Sequence, residues 1–180
     1  MSDHSVNLPL FPRLPALALK GMPLMPASLA LSGFARRIAA RHPAMFRRLG
    51  EYNAARFVLD PTDLPLSMLL EPLNGRPRIH LSRHPLRGDA RIAGPLSGLL
   101  GLVHGAYDGD ALFFSRDLVI EGDTAAVLAL RNAIDDAELD LSAEAQAMSG
   151  PFAAAMRRLI AMAEARTGVA LSRHEEDATW

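Results

Sequence analysis

The sequence predicts a domain of the α/β or α+β class, preceded by a basic arm. Three observations carry that prediction. Short apolar or alternating runs separated by turn residues fill the middle of the chain. Amphipathic stretches with helical spacing lie before and after them. An uncharged, glycine-bearing run sits among the strands. The 180 residues suffice for a domain of ordinary size plus an arm. With 49% hydrophobic and 22% charged residues the composition is globular, not disordered. The chain has no cysteine, which excludes disulfides, thiol nucleophiles and Cys-ligated metal centres and permits a reducing cytoplasm.

Charge divides the chain. Residues 1–50 carry seven bases against one acid, a net of +6, and the other 130 carry 12 bases and 19 acids, a net of −7. Such asymmetry points to an arm that meets an anionic surface. Nucleic acid is the poorer fit, because the acidic remainder repels phosphate and the arm holds few aromatics to stack on bases. Pro9, Pro12, Pro15, Pro23 and Pro26 interrupt the apolar residues 8–35, so neither a spanning helix nor a signal peptide is expected there. The alternative is a proline-rich arm wrapped over its own domain.

The elements follow in order. Residues 1–26 read as irregular because each proline disfavours helix in the residue before it. A helix is predicted from Ala27 to Arg41 with Ser28 as a candidate N-cap. Leu31, Phe34 and Ile38 fall on one face and Arg36, Arg37 and Arg41 elsewhere. Pro43 ends it or opens a second short turn. Strands are predicted at 55–60, 66–73 and 78–82, the second closing on the hairpin signal Asn74-Gly75, with Pro72 marking a strand edge or end. Asp89–Ala93 is a fourth. Gly94–Gly105 reads as an apolar helix whose four glycines each cost about 1 kcal/mol relative to alanine. Leu112–Glu121 is the strongest strand. It leads through Gly122 and Asp123, the predicted N-cap, into a helix over Thr124–Asp136. Further helices are expected at 142–148 and 151–167, before a loose tail.

Candidate chemistry is sparse. His80 and His84 are four apart, but Pro85 and the strand pattern deny them a common helical face. Gly94-Pro95-Leu96-Ser97-Gly98 places its serine one position out of register for a nucleophile elbow. Asp108 and Asp110 read as a turn. Asp135, Asp136, Glu138 and Asp140 read as a solvated helix end that leaves room for a basic partner. What remains is a domain with no catalytic constellation and an apolar helix beside a strong strand, an arrangement suited to an apolar ligand.

One segment is more specific. The run from Asp110 to Thr124, with the pair Phe113-Phe114, then Arg116, an apolar strand and Glu121-Gly122-Asp123-Thr124, resembles the signature of the sterol carrier protein type-two (SCP-2) domain family. The similarity extends over about residues 50–140 and is nearest the bacterial UbiT-type branch of ubiquinone biosynthesis accessory factors. It implies an α+β fold: a mixed, mainly antiparallel five-stranded sheet covered by helices around an apolar lipid tunnel. It also implies a division into a basic, amphipathic arm (1–50), a lipid-binding domain (51–140) and C-terminal helices with a tail (141–180).

By the same resemblance the function is that of a non-catalytic lipid carrier for prenylated quinone precursors in the oxygen-independent route to ubiquinone. It would need no cofactor and would bind an isoprenoid lipid as ligand. Its partners would be the ring-modifying hydroxylases and an anionic membrane surface, with no nucleic acid. The location would be cytoplasmic, peripheral at the inner face of the plasma membrane. The tunnel candidates are Phe57, Leu96, Leu99, Leu100, Val103, Phe113, Phe114, Leu118 and Ile120, and the membrane-contact candidates are Phe34, Arg36, Arg37, Ile38 and Arg41. The rival readings are a small enzyme acting on a lipid, with His104 as its base, and a protein-interaction module.

Overall fold

The computed structural model describes residues 19–21, 23–104, 118–137 and 144. Helices α1 (Leu24–Arg41) and α2 (Pro43–Leu49) lead into strands β1 (Phe57–Pro61), β2 (Ser67–Glu71), β3 (Arg78–Ser82) and β4 (Ala90–Gly94). Helix α3 (Leu96–His104), strand β5 (Val119–Gly122) and helix α4 (Thr124–Ala137) follow among the described residues. The five strands form one sheet in the order β3-β2-β1-β4-β5. All neighbours are antiparallel except β1 and β4. The architecture is the α+β fold that the sequence predicts.

Period-two alternation decides the layers. Phe57, Leu59 and Pro61 of β1 share a face with their cross-strand partners Leu70 and Met68 of β2 and Ala90 and Ile92 of β4. The helices cover that face. Its core is Phe57, Ile92 and Leu99 with Leu118, Ala126 and Val127, and Phe57 has no exposed surface.

Helix α1 starts three residues earlier than predicted, at Leu24. Pro26 is tolerated because a first-turn residue has no intrahelical N–H bond to lose. Ser28 is therefore not the N-cap, which is Pro23 and makes no side-chain cap bond. Ser28 is buried and tied to the sheet instead. Its hydroxyl donates to the Leu24 carbonyl at 2.8 Å and accepts the Leu81 N–H at 2.9 Å. One turn on, the Ser32 hydroxyl accepts the Ile79 N–H at 2.9 Å. Its single proton has the Ser28 and Ile79 carbonyls within reach, at 2.7 and 3.0 Å. One turn further, Arg36 Nε donates to the Pro77 carbonyl at 3.3 Å. Two periods match here. Four helical residues rise about 6 Å and two strand residues about 6.8 Å, so i, i+4, i+8 on α1 meets j, j−2, j−4 on β3. The helix thus satisfies the free edge of β3.

The Glu121-Gly122-Asp123-Thr124 segment is a structural joint. Gly122 has φ +83, and a Cβ there would lie 2.3 Å from the Asp89 carbonyl oxygen, so only glycine fits. The Asp123 N–H donates to that same oxygen at 2.9 Å. The Asp123 carboxylate caps α4 by accepting the Ala126 N–H at 3.0 Å, as the sequence predicts.

Three expectations shift. Strand β2 stops at Glu71, because Pro72 cannot donate to the ladder. The β2–β3 hairpin does form, but residues 73–75 make a 3₁₀ turn within a longer connection. The predicted strand over 112–121 is described only as β5, preceded by the buried Leu118. Its earlier part, Asp108 and Asp110, and the helices at 142–148 and 151–167 lie outside the described residues, apart from Glu144.

Candidate functional site

Between the covered face of the sheet and the four helices lies a cavity of about 300 Å³. Helix α1 contributes Leu31, Phe34, Ala35 and Ile38, and α2 contributes Met45, Phe46 and Leu49. The strand side is Leu59, Pro61, Met68, Leu70 and Ile79, with Pro72 and Pro77 from the β2–β3 connection. Leu96, Leu99 and Leu100 of α3 and Leu130 and Ala133 of α4 close it. Among the described residues every lining side chain is apolar. Burying a hydroxyl or amide there without a partner costs about 2–7 kcal/mol, whereas each buried CH₂ contributes about 0.8 kcal/mol. The cavity therefore selects hydrocarbon.

Of the predicted tunnel residues, Leu96, Leu99 and Leu100 meet in this cavity. Phe57 and Leu118 lie in the adjoining core, with Ile120 packed against it. The side chain of Val103, and Phe113 and Phe114 altogether, fall outside the described residues. The cavity also uses residues that sequence reasoning passed over, including Leu59, Met68, Leu70 and Ile79. Their shared signal is alternation: each faces the same side of three consecutive strands.

Of the predicted membrane-contact residues, Phe34 and Ile38 face inward and line the cavity, because α1 lies along β3. Arg37 is exposed. Arg36 is bonded to Pro77, and Arg41 pairs with Glu144 at 2.7 Å. His42 Nε2 lies 3.1 Å from the other Glu144 oxygen, and the Glu144 side chain is buried. The outward face of α1 instead exposes Met25 and Leu29. The acidic end of α4 meets a basic partner within the chain, since Asp136 pairs with Arg48 of α2 at 2.5 Å and Asp135 with Arg131 at 3.4 Å.

The opposite face of the sheet carries a polar network beside the buried Val58 and Ala93. Arg91 donates to Asp60 through Nε at 3.1 Å and through Nη2, and to Glu121 at 2.8 Å. The Ser67 hydroxyl donates to Asp60 at 2.7 Å. Burial pushes the Asp60 carboxyl up, but the Ser67 hydroxyl and the Arg91 guanidinium outweigh it and hold the group below the usual carboxylate range. The backbone N–H of Arg56 likewise holds Asp89 low. His80 and His84 are exposed, and among the described residues no three His, Asp or Glu side chains are grouped to hold a metal ion. Nor is any described helix long and apolar enough to cross a membrane.

Comparison with known proteins gives one family and one fold. The SCP-2 sterol transfer family matches residues 35–135. A solved structure titled "UbiJ-SCP2 Ubiquinone synthesis protein" aligns with a TM-score of 0.53 at 18% identity, covering 65% of this chain and 96% of that one. Apo sterol carrier protein 2 from Yarrowia lipolytica aligns with a TM-score of 0.45 at 16% identity, over 62% of this chain and 92% of that one. No curated protein sequence matches. The family match runs from within α1 to within α4 and takes in all five strands, so this chain belongs to the SCP-2 sterol transfer family.

Proposed function

We propose that the chain holds a prenylated quinone precursor in the apolar cavity and presents it to the ring-modifying hydroxylases of ubiquinone biosynthesis, in the oxygen-independent route, with no chemistry of its own. The observation that carries this reading is the cavity, about 300 Å³, whose described lining side chains are all apolar. A dry cavity of roughly 150 Å³ lined by such residues holds a benzene ring. Twice that volume takes a ring or a short stretch of prenyl chain, and the rest of a long tail would lie beyond these walls. The likeness to a ubiquinone synthesis protein supports the pathway. Loading from an anionic membrane is supported by Lys20, Arg37 and Arg47, exposed bases of the acid-free stretch of residues 19–50. Each basic residue near such a surface adds about 1 kcal/mol.

The test is a lipid extract of the purified full chain, weighed by mass spectrometry, followed by titration with a short-prenyl quinone precursor. A co-purifying isoprenoid, or saturable one-site binding of the added precursor, supports the reading. An empty protein that also fails to bind the precursor overturns it.

A further inference from the structure

Among the described residues the walls of the apolar cavity offer no side-chain partner for a hydroxyl, yet a quinone precursor carries one. An amphiphile in this cavity needs a second place for its head, and such a place adjoins it. A recess of about 470 Å³ is lined by Ala39, Phe46, Arg47, Asn53, Asn74 and Gly75 among others, and Phe46 also lines the apolar cavity. Phe46 is thus the partition between an apolar and a polar compartment.

Two features of the recess stand apart from ordinary surface. The first is Asn53. Its Nδ2 donates to the Phe46 carbonyl at 2.7 Å and to the Gly50 carbonyl at 2.9 Å, which fixes the orientation of the amide. Its Oδ1 is buried and has no hydrogen-bond partner among the described residues. A buried acceptor left unpaired asks for an explanation. The second is the turn opposite. Leu73, Asn74 and Gly75 have φ of +46, +52 and +84 in succession. Leucine is rare in that region, and such strain collects at ligand clamps. The turn presents Asn74 to the recess and sets Gly75 beside Phe46, where a Cβ would meet the ring at an ordinary contact distance of 3.9 Å.

We propose that this recess is the headgroup subsite for a hydroxyl-bearing amphiphile. The hydrocarbon lies in the apolar cavity and the ligand passes Phe46. The head sits between Arg47, Asn53 and Asn74, with its hydroxyl donating to Asn53 Oδ1. That oxygen is closed off from water in this structure, so the head reaches it with a shift of the recess wall. The inference rests on the lipid-binding reading of the cavity.

The experiment uses the full chain and two probes, a short-prenyl phenol and its methyl ether, which share ring and tail but differ in the one proton that can be donated. Native protein is expected to bind the phenol about fivefold more tightly, the scale of one hydrogen bond. Asn53→Leu should bring the two affinities together while still binding the ether. Asn53 also holds two backbone carbonyls, so Asn74→Gly is the second variant. It keeps the left-handed turn, removes the amide and should narrow the preference. Equal affinities in the native protein overturn the subsite and leave the lipid-binding reading standing, whereas no binding of either probe sinks that reading itself. A folded Asn53→Leu that keeps the full preference overturns the subsite. If that variant does not fold, Asn74→Gly decides, an unchanged preference counting against the recess and a narrowed one for it.

Discussion

The two faces of the sheet are built from the same strands and obey opposite rules. On the helix side, Leu59, Met68, Leu70 and Ile79 surround empty space and offer a ligand no directional bond. On the other side, Asp60, Arg91, Glu121 and Ser67 are tied to one another by hydrogen bonds, and Arg91 joins two carboxylates. Neighbouring residues along β1 thus separate adaptability from rigidity: Leu59 lines the cavity and Asp60 anchors the frame. A carrier needs both, a wall that tolerates variable hydrocarbon and a scaffold that keeps the wall in place when the cargo leaves.

The largest effect should come where the helix side stops being adaptable. Phe57 is fully buried, and Phe57→Ala removes a ring from the core beside the cavity. A loss of about 3–5 kcal/mol is expected, read as a fall in urea midpoint. A variant that unfolds at the native midpoint would mean that the cavity region absorbs the loss by collapse. Next is Ser32→Ala, which strips the Ile79 N–H of its partner and should cost about 1–3 kcal/mol. A cost near zero would show that water replaces the hydroxyl at the β3 edge.

Asp60→Asn probes the polar face. Asp60 and its partner Arg91 are partly exposed, so a loss below about 1 kcal/mol is expected at pH 7. Asp60 titrates below its ordinary value in the folded chain. Its stabilising share is therefore present above the unfolded value of about 3.9 and disappears as pH falls through the folded one. The gap in Tm between native and variant should accordingly be open at pH 7 and close below about pH 4. A gap that widens in acid would contradict that sign. Ala35→Leu should move stability least, because the added carbons enter existing space. It should nevertheless reduce loading of a prenyl probe severalfold, and unchanged loading would place the ligand away from α1.

The legible and illegible parts of this molecule differ by range. Local chemistry was readable. Asp123 as a cap and β3 at Arg78–Ser82 each follow from a few adjacent residues. The apolar character of α3 pointed to Leu96, Leu99 and Leu100. The cavity as a whole was not readable, because its walls come from elements far apart in sequence. Phe34 and Ile38 illustrate the reason. Their spacing declares an apolar stripe, but whether a stripe faces lipid or protein depends on what lies against it. Here the answer sits at Leu81, Ile79 and Pro77, which are roughly forty to fifty residues further along the chain. Ser28 has the same double character: a serine near a helix start is a cap by local logic and a cross-element tie by tertiary logic.

The pairing of α1 with β3 also bears on how the protein behaves in a crowd. A bare outer strand displays unpaired N–H and C=O groups to any extended segment that drifts past, and recruitment of one strand by another is how soluble sheets grow into precipitates. Ser28 and Ser32 occupy the Leu81 and Ile79 N–H groups, and Arg36 occupies the Pro77 carbonyl. Helices do not template strands. That border of the sheet is thereby shielded against self-association.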